Sequence, residues 1–257
     1  MRITVLAENL PGPELPGEHG LSLFVETADR RFLFDTGRTD LFARNAEALG
    51  VDLEAADFAV LSHGHNDHGG GLRTFLERND HAPVYASRYA FEPHFNALDQ
   101  GIGLDPALLE SGRFVLADEE LRIAEGLTLR ACRGAAPVAD FGPGGLKTVR
   151  EGCLIPEDFR HEQYLLAEEN GKRILFSGCS HRGVLNLMHW FQPDLLIGGF
   201  HFFRLPPDET LAGYAAGLDA WPAVYYTCHC TGELQYRFLK ERMKNLHYLR
   251  TGDSVEI

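Results

Sequence analysis

The chain has 257 residues and a formal charge of −13, with 44% hydrophobic and 24% charged residues. This length suffices for one large domain, and the composition is that of an ordinary globular protein. The acidic balance argues against nucleic acid or an anionic membrane as the main partner, because both require a basic face. No apolar run approaches the roughly 20 residues that span a bilayer, and five cysteines, an odd number, favour reduced thiols. We therefore expect a cytoplasmic protein with a single domain over residues 1–257.

The first half of the chain reads as short strands separated by turns and helices. Apolar runs predict strands over 2–7, 21–27, 31–34, 58–62 and 83–86, and helices over 40–49 and 71–78. Asp35 ends the third strand, where it either supports a metal ligand or caps the following helix. The segment 89–112 contains prolines and glycines and is expected to be irregular, with its His94 at the surface or lining a pocket.

The second half continues the strand pattern after a segment of different composition. Residues 132–160 are rich in Gly, Pro and Ala, which predicts either a substrate-covering loop or an exposed linker. The predicted helices cover 183–191, 208–218 and 233–243. The predicted strands cover 113–117, 121–124, 127–131, 163–168, 172–176, 194–197, 223–226, 246–250 and 254–257.

The densest group of metal-ligand side chains is His63-Gly64-His65-Asn66-Asp67-His68. Imidazole and carboxylate are ligands that zinc and related divalent ions take. His63 and His65 are too close to lie on neighbouring turns of one helix, so the segment is extended or looped where a strand ends. A polar loop that is histidine-rich by accident is the alternative, but such a loop has no need of this ligand density. The segment therefore predicts a metal site.

Three further predicted strands run into turns that carry a histidine. Together with the first group these turns place four histidines at strand ends: His63, His181, His201 and His229. Because strand ends meet along one edge of a sheet, we expect the four turns to converge on one cleft. Cys228 and Cys230 flank the last histidine on the opposite face of an extended segment, and we expect them to pack rather than to bind metal.

These motifs resemble those of the metallo-β-lactamase fold superfamily, whose HxHxDH signature stands at 63–68. Within it the chain is most similar to the branch named for dihydropterin ribofuranosylaminobenzene phosphate synthase. The segments that carry this similarity are Glu18-His19-Gly20-Leu21-Ser22, Phe34-Asp35-Thr36-Gly37, Gly178-Cys179-Ser180-His181-Arg182-Gly183, Gly198-Gly199-Phe200-His201 and His229-Cys230-Thr231-Gly232. The resemblance implies an α+β fold, a four-layer αββα sandwich with a two-metal site at one edge between the sheets.

The resemblance also implies most of the metal ligands. It assigns the first metal to His63 and His65, and the second metal to Asp67, His68 and His229. Many members of the superfamily have a bridging Asp where this chain has Cys179, which is then either a thiolate ligand or a small buried residue. His181 could supply the interaction of the missing Asp, and His161 stands where many members have the third histidine of the first metal. As metal ligands, we rank His181 above His161.

The chemistry that this site favours is hydrolysis by a metal-activated hydroxide on a phosphodiester, cyclic phosphate or other phosphorylated small molecule. Asp67 and His201 are the expected catalytic residues, and His19, Arg182 and Lys147 the expected substrate contacts. The cofactors are two divalent ions, with zinc favoured and iron or manganese compatible. The alternatives are a pterin-related synthase, a lactone or thioester hydrolase, and a metal-dependent sensor or binding protein. The sequence does not indicate the oligomeric state.

Overall fold

The structure, a computed structural model, describes residues 1–257 and contains 17 strands and six helices. The helices are α1 (Leu41–Leu49), α2 (Asn66–Gly69), α3 (Leu72–Arg78), α4 (Val184–Phe191), α5 (Glu209–Asp219) and α6 (Glu233–Lys240). The strands of the first half are β1 (Arg2–Ala7), β2 (Ser22–Glu26), β3 (Arg31–Phe34), β4 (Phe58–Val60), β5 (Val84–Ser87), β6 (His94–Phe95), β7 (Phe114–Ala117), β8 (Glu120–Ala124) and β9 (Leu127–Arg130). Those of the second half are β10 (Lys147–Arg150), β11 (Cys153–Pro156), β12 (Tyr164–Glu169), β13 (Lys172–Phe176), β14 (Leu195–Ile197), β15 (Val224–Thr227), β16 (Leu246–Tyr248) and β17 (Ser254–Glu256).

Two seven-stranded mixed sheets form the centre of the molecule. The first has the order β17-β1-β2-β3-β4-β5-β7, and the second has the order β16-β15-β14-β13-β12-β9-β8. In each sheet four consecutive strands are parallel, β3 to β7 in the first and β13 to β16 in the second. The carboxyl ends of parallel strands share an edge, so the turns after them are brought together.

Hydrophobic contacts hold the sheets face to face and cover their outer surfaces. Between the sheets, the rings of Phe34 and Phe176 lie 5.6 Å apart within a core drawn from both sheets. Phe42 of α1 and Phe75 of α3 pack on the outside of the first sheet. Leu187 of α4 does the same for the second sheet, together with residues of α5 and α6. The predicted four-layer αββα sandwich is therefore confirmed.

A third, small sheet joins two segments that the sequence leaves without regular structure. Strands β10 and β11 form a hairpin within the Gly- and Pro-rich segment, and β10 pairs with β6 so that Thr148 lies opposite His94. The segment 132–160 is thus partly strand, and the excursion 89–112 is attached to it. None of the helices has the length and apolar character needed to cross a membrane, and the longest, α5, has 11 residues.

Candidate metal centre

The four predicted histidine turns meet at one edge of the sandwich. His63 follows β4 of the first sheet, whereas His181, His201 and His229 follow three parallel strands of the second. The ring centroids of His63 and His181 are 4.9 Å apart, and those of His181 and His201 are 4.2 Å apart. The predicted convergence is confirmed.

Several residues in these turns have a left-handed backbone. The φ angles are 59° at Asp35, 55° at Ser180, 57° at His201 and 48° at His229. Each such conformation costs a non-glycine residue about 1–3 kcal/mol and persists only where its surroundings hold it. The turns are therefore fixed by their contacts.

A single buried carboxylate, Asp35, orients two of the imidazoles. Its Oδ2 accepts hydrogen bonds from Nδ1 of His68 at 2.7 Å and from the hydroxyl of Ser62 at 2.7 Å. Because the Ser62 hydroxyl proton points to Asp35, its oxygen accepts from Nδ1 of His63, 2.8 Å away. Both rings are thereby anchored through Nδ1, with Nε2 directed into the centre, the arrangement in which a carboxylate supports metal-ligating histidines. Asp35 therefore orients His63 and His68 and does not cap α1, whose N-cap residue is Asp40.

His229 is fixed in the same tautomer from the opposite sheet. Its Nδ1 donates to Oδ1 of Asn9 at 2.7 Å, which leaves Nε2 unprotonated. This Nε2 lies 3.1 Å from Nε2 of His68. Two lone pairs at this distance repel unless a proton or a cation lies next to both. Two tetrahedral ligands of one zinc ion lie roughly 3.3 Å apart, so the pair is spaced to share a cation.

Cys179 lies between two groups of histidines. Its Sγ is 3.2 Å from Nε2 of His68. Ligand atoms within 4.8 Å of one another place it in one trio with His63 and His181 and in another with His68 and His229. Burial raises the pKa of the Cys179 thiol, so a thiolate there requires a neighbouring cation. The Cys179 sulfur therefore lies within reach of both groups of histidines.

His63, His65 and His181 are neutral imidazoles, and each has at least one buried ring nitrogen without a hydrogen-bond partner. Nε2 of His63, Nε2 of His65 and both ring nitrogens of His181 are buried and have no hydrogen-bond partner. Burial lowers the pKa of His63 and His181 well below the usual value and lowers that of His65 to about 3. Unpartnered buried nitrogens are unfavourable unless a ligand satisfies them, so this side also fits a cation.

Asp67 lies at the open side of the centre. Its Oδ2 is 3.3 Å from Nε2 of His19 and 3.5 Å from Nε2 of His229. Burial favours the neutral acid, but His68, His19 and His229 outweigh burial and lower the pKa of Asp67 well below its usual value. Burial also opposes the charge on His68, yet Asp35 and Asp67 raise the pKa of that imidazole to about 9. The centre is therefore built to hold positive charge beside ionised Asp67.

His161, predicted to stand at the third-histidine position, lies in a buried group beside His65. It is fully buried, and its Nδ1 accepts a hydrogen bond from the backbone N–H of Gly64 at 2.9 Å. His94 is also buried, with a relative exposure of 2%, and its Nδ1 donates to Oε2 of Glu157 at 2.8 Å. The expectation that His94 lies at the surface or lines a pocket is wrong, because the pairing of β6 with β10 encloses it.

A cavity of about 430 Å³ opens above the centre. His19 and His201 line it as predicted, together with Asp67, Cys179 and two arginines, Arg38 and Arg204. The two predicted basic substrate contacts, Arg182 and Lys147, do not line this cavity.

Arg182 and Lys147, the predicted substrate contacts, are engaged elsewhere. The Arg182 guanidinium donates to the backbone carbonyls of Ala131 and Cys132. The Lys147 ammonium pairs with Asp99 at 2.5 Å. Neither lines the cavity, and Arg38 and Arg204 take the place that was expected for them.

Cys230 also differs from its prediction. The residues 229–231 form a short 3-10 turn, so the alternation of an extended segment does not apply. Cys230 consequently lines the cavity, with a ligand atom within 4.8 Å of those of Cys179 and His201. Cys228 does pack in the core between the sheets.

The family model of the metallo-β-lactamase superfamily matches residues 15–159, more than half of the chain. The chain belongs to the metallo-β-lactamase superfamily. The HxHxDH segment lies inside the matched region, and the cysteine and later histidines come from the part of the fold that follows it. Metal binding is thus supported by the family and by the clusters of His and Cys ligands.

Three full-length relatives within the metallo-β-lactamase superfamily are similar to the chain. The uncharacterized protein MJ0448 of Methanocaldococcus jannaschii is 27% identical over 99% of this chain and 100% of its own length. The 7,8-dihydropterin-6-methyl-4-(β-D-ribofuranosyl)-aminobenzene-5′-phosphate synthase of the same organism is 26% identical over 100% of this chain and 96% of its own length. The crystal structure of Tm1679, a metal-dependent hydrolase of the β-lactamase superfamily, matches with a TM-score of 0.85 and 26% identity, covering 100% and 99% of the two chains.

Proposed function

We propose that the chain is a binuclear metal-dependent hydrolase that acts on a phosphorylated small molecule. The observation that carries this proposal is the 3.1 Å approach of the Nε2 atoms of His68 and His229, each already oriented through its Nδ1. Two Nε2 atoms at this distance, on rings anchored through Nδ1, are spaced to share one cation. Two cations here would supply Lewis acidity and lower the pKa of a nearby water.

The residues proposed to hold the two ions lie at the strand ends, and all of them except the partly exposed Asp67 are buried. They are His63, His65, Asp67, His68, Cys179, His181 and His229. Zinc suits this set best, because it combines imidazoles with a thiol, although iron and manganese are compatible with the imidazoles and the carboxylate.

Asp67 and His201 are proposed to handle protons on two sides of the cavity. Asp67 is held ionised and can accept a proton from an attacking water. His201 lines the same cavity, with a buried Nδ1 that has no partner, and can donate a proton to the leaving group. His19, 3.3 Å from Asp67, orients that carboxylate from the solvent side.

The cavity favours an anionic substrate in spite of the acidic chain. Arg38 and Arg204 line it, and the Arg38 guanidinium makes no hydrogen bond or ion pair within the chain. Arg204 is held above the Phe203 ring, 5.1 Å from its centroid. Guanidinium groups bind phosphate oxygens through charge-assisted hydrogen bonds. A phosphate ester therefore has local positive partners that a neutral lactone or thioester would not use.

A pterin-related synthase is the second candidate. The relative with this name aligns with the whole chain, which favours a shared reaction. An identity of 26% does not by itself establish the same reaction, so the synthase stays second. The same cavity would then accept the phosphate of a phosphoribosyl compound at Arg38 and Arg204.

A substrate panel separates these functions. Metal-loaded protein is assayed on a phosphodiester, a lactone and an acyl thioester, and pterin binding is measured by fluorescence. We expect metal-dependent turnover of the phosphodiester, which Asp67→Ala lowers at least about 100-fold. His201→Ala should lower it too, whereas the exposed His189→Ala serves as the matched control. Loaded protein that binds a pterin and turns over none of the three esters would contradict the hydrolase proposal and favour the synthase.

A further inference from the structure

The buried histidine His161 carries its proton on the nitrogen that would have to bind a metal. A backbone N–H can only donate, so the bond from Gly64 N to Nδ1 of His161 requires that Nδ1 be unprotonated. A neutral imidazole with a bare Nδ1 has its proton on Nε2. That nitrogen has no hydrogen-bond partner, and the nearest carboxylate oxygen recorded beside it, Oε2 of Glu157, lies 3.8 Å away.

Proximity alone would suggest another arrangement. One ligand atom each of His65, His94 and His161 lies within 4.8 Å of the others, which is close enough for a shared ion. However, metal ligation through Nε2 of His161 would require a proton on Nδ1, where Gly64 N–H already points. The hydrogen bond to Gly64 therefore argues against His161 as a ligand in this trio and in the first metal site alike.

His181 differs from His161 at Nδ1, where His161 accepts from Gly64 and His181 has no hydrogen bond. Both of its ring nitrogens are buried and have no partner. Its centroid lies 4.9 Å from that of His63 and 4.9 Å from that of His65, and the centroids of these two are 4.6 Å apart. The three rings thus form a nearly equilateral group. The ring of Phe159 stacks on His181 at 4.6 Å and 8°, which fixes the plane of the imidazole.

The backbone of His181 is also anchored. Glu162 is fully buried, and its carboxylate accepts hydrogen bonds from the backbone N–H of His181 at 2.8 Å and of Arg182 at 3.0 Å. The residue next to His161 therefore holds the turn that carries His181. Phe159 thus holds the ring of His181, and Glu162 holds its backbone.

The hydrogen bond of His161 fixes the residue between the two histidines of the HxH pair. Gly64 is tightly enclosed, since a Cβ there would lie 2.1 Å from the carbonyl oxygen of Ala90 and 2.9 Å from Nε2 of His94. His94 is itself held by Glu157, which also faces His161. The group around Gly64 thus sets the directions of His63 and His65.

We propose that His63, His65 and His181 hold the first metal ion, and that His161 is a positioning residue that fixes the backbone of Gly64. This inference rests on the proposed metal centre, and it is independent of which reaction the centre performs. It departs from the superfamily pattern in which the third histidine stands at the place of His161.

Two asparagine and glutamine variants separate the roles of the two nitrogens. Asn at 161 puts an amide oxygen near the position of Nδ1 and removes Nε2, whereas Gln reaches toward Nε2 and removes the acceptor for Gly64. Metal content is measured on zinc-equilibrated wild type, His161→Asn, His161→Gln and His181→Ala, with cobalt spectra of the same proteins. We expect His161→Asn to keep both ions and an unchanged cobalt spectrum, His161→Gln to bind the first ion more weakly, and His181→Ala to lose one ion.

The tautomer of His161 gives a second readout that needs no variant. Histidine ¹⁵N spectra of the zinc-loaded wild type should show His161 protonated at Nε2 and unprotonated at Nδ1. His161→Asn protein that lacks one ion, or a His161 ring protonated at Nδ1, would overturn the assignment. Wild-type protein that binds no zinc would instead count against the metal centre itself, so the two failures are distinguishable.

Discussion

The Asp35 carboxylate lies 2.7 Å from Nδ1 of His68, and both side chains are fully enclosed. Through the Ser62 hydroxyl the same carboxylate also fixes His63. This carboxylate, at the end of β3, thereby orients His68 and His63, which belong to two different groups of candidate metal ligands. Asp35 does not line the cavity, so we expect it to affect metal binding and not contact with a substrate.

Asp35→Asn should weaken metal binding about 10- to 100-fold, the usual effect of removing a carboxylate that supports a ligating histidine. If the amide nitrogen of the new side chain faced Nδ1 of His68, two hydrogen-bond donors would face each other and the bond that orients the ring would be lost. Competition with a chromogenic chelator measures the affinity. Asp40→Asn is the control, because Asp40 is exposed at the start of α1. Equal affinities for the wild type and Asp35→Asn would contradict the role given to this residue.

Cys179→Ser should remove the sulfur-to-metal charge-transfer band of the cobalt-loaded protein. A thiolate gives such a band, and Cys179 is the cysteine with ligand atoms near both histidine groups. Cys153→Ser is the matched control, because Cys153 is exposed and distant from the site. A band of undiminished intensity in Cys179→Ser would show that its sulfur does not bind metal.

Arg38→Ala and Arg204→Ala should each raise KM for a phosphorylated substrate about 10- to 100-fold while kcat changes little. Each removes a charge-assisted hydrogen bond worth roughly 1.5–3 kcal/mol, and binding that is equal in ground and transition states affects KM alone. Steady-state kinetics on the best substrate of the panel checks this. Arg44→Ala is the control, since Arg44 is exposed and pairs with Asp40. Unchanged KM values in both cavity variants would remove the phosphate-binding role.

Glu8 should make the metal-free chain less stable as pH rises. Burial raises the pKa of Glu8 from 4.5 to about 7, although hydrogen bonds from the backbone of His229 and Leu10 and from Tyr248 act against this. Between these pH values the folded chain keeps a proton that the unfolded chain has lost, so the free energy of unfolding falls with pH. The loss amounts to at most about 3 kcal/mol, complete above pH 7.

Urea unfolding of metal-free protein at pH 5 and pH 8 measures this loss. Glu8→Gln cannot ionise, so the difference between the two pH values should be smaller in that variant than in the wild type. Glu14→Gln, at an exposed position, should behave as the wild type does. The same pH difference in wild type and Glu8→Gln would show that Glu8 is not the responsible group.

The sequence predicts the strands and most of the site because both depend on local patterns. Apolar runs come before four histidines and predict that each histidine follows the end of a strand: His63, His181, His201 and His229. Neighbouring parallel strands end at the same edge of a sheet, which brings the turns after them together. The HxHxDH spacing identifies the family before any contact is known. The predicted elements differ from the observed ones mainly by a few residues at their ends, because hydrogen bonds outside the local sequence pattern decide where an element stops.

What the sequence does not predict depends on contacts between distant segments. His94 is buried because the hairpin of residues 147–156 pairs with it, and the composition of that hairpin gives no strand signal. Cys230 faces the cavity because the backbone turns at His229, which alternation along a strand does not foresee. Arg182 and Lys147 look free in the sequence, yet backbone carbonyls and Asp99 engage them.

The ligands of the centre come from both sheets and from distant parts of the chain. Cys179 and His229 of the second sheet meet His68 of the first across 111 and 161 residues of sequence. A cation bound to all three would crosslink the two sheets at the edge where β3, β4, β13, β14 and β15 end. Metal binding would then also stabilise the folded chain, because its binding free energy would help to hold the two sheets together.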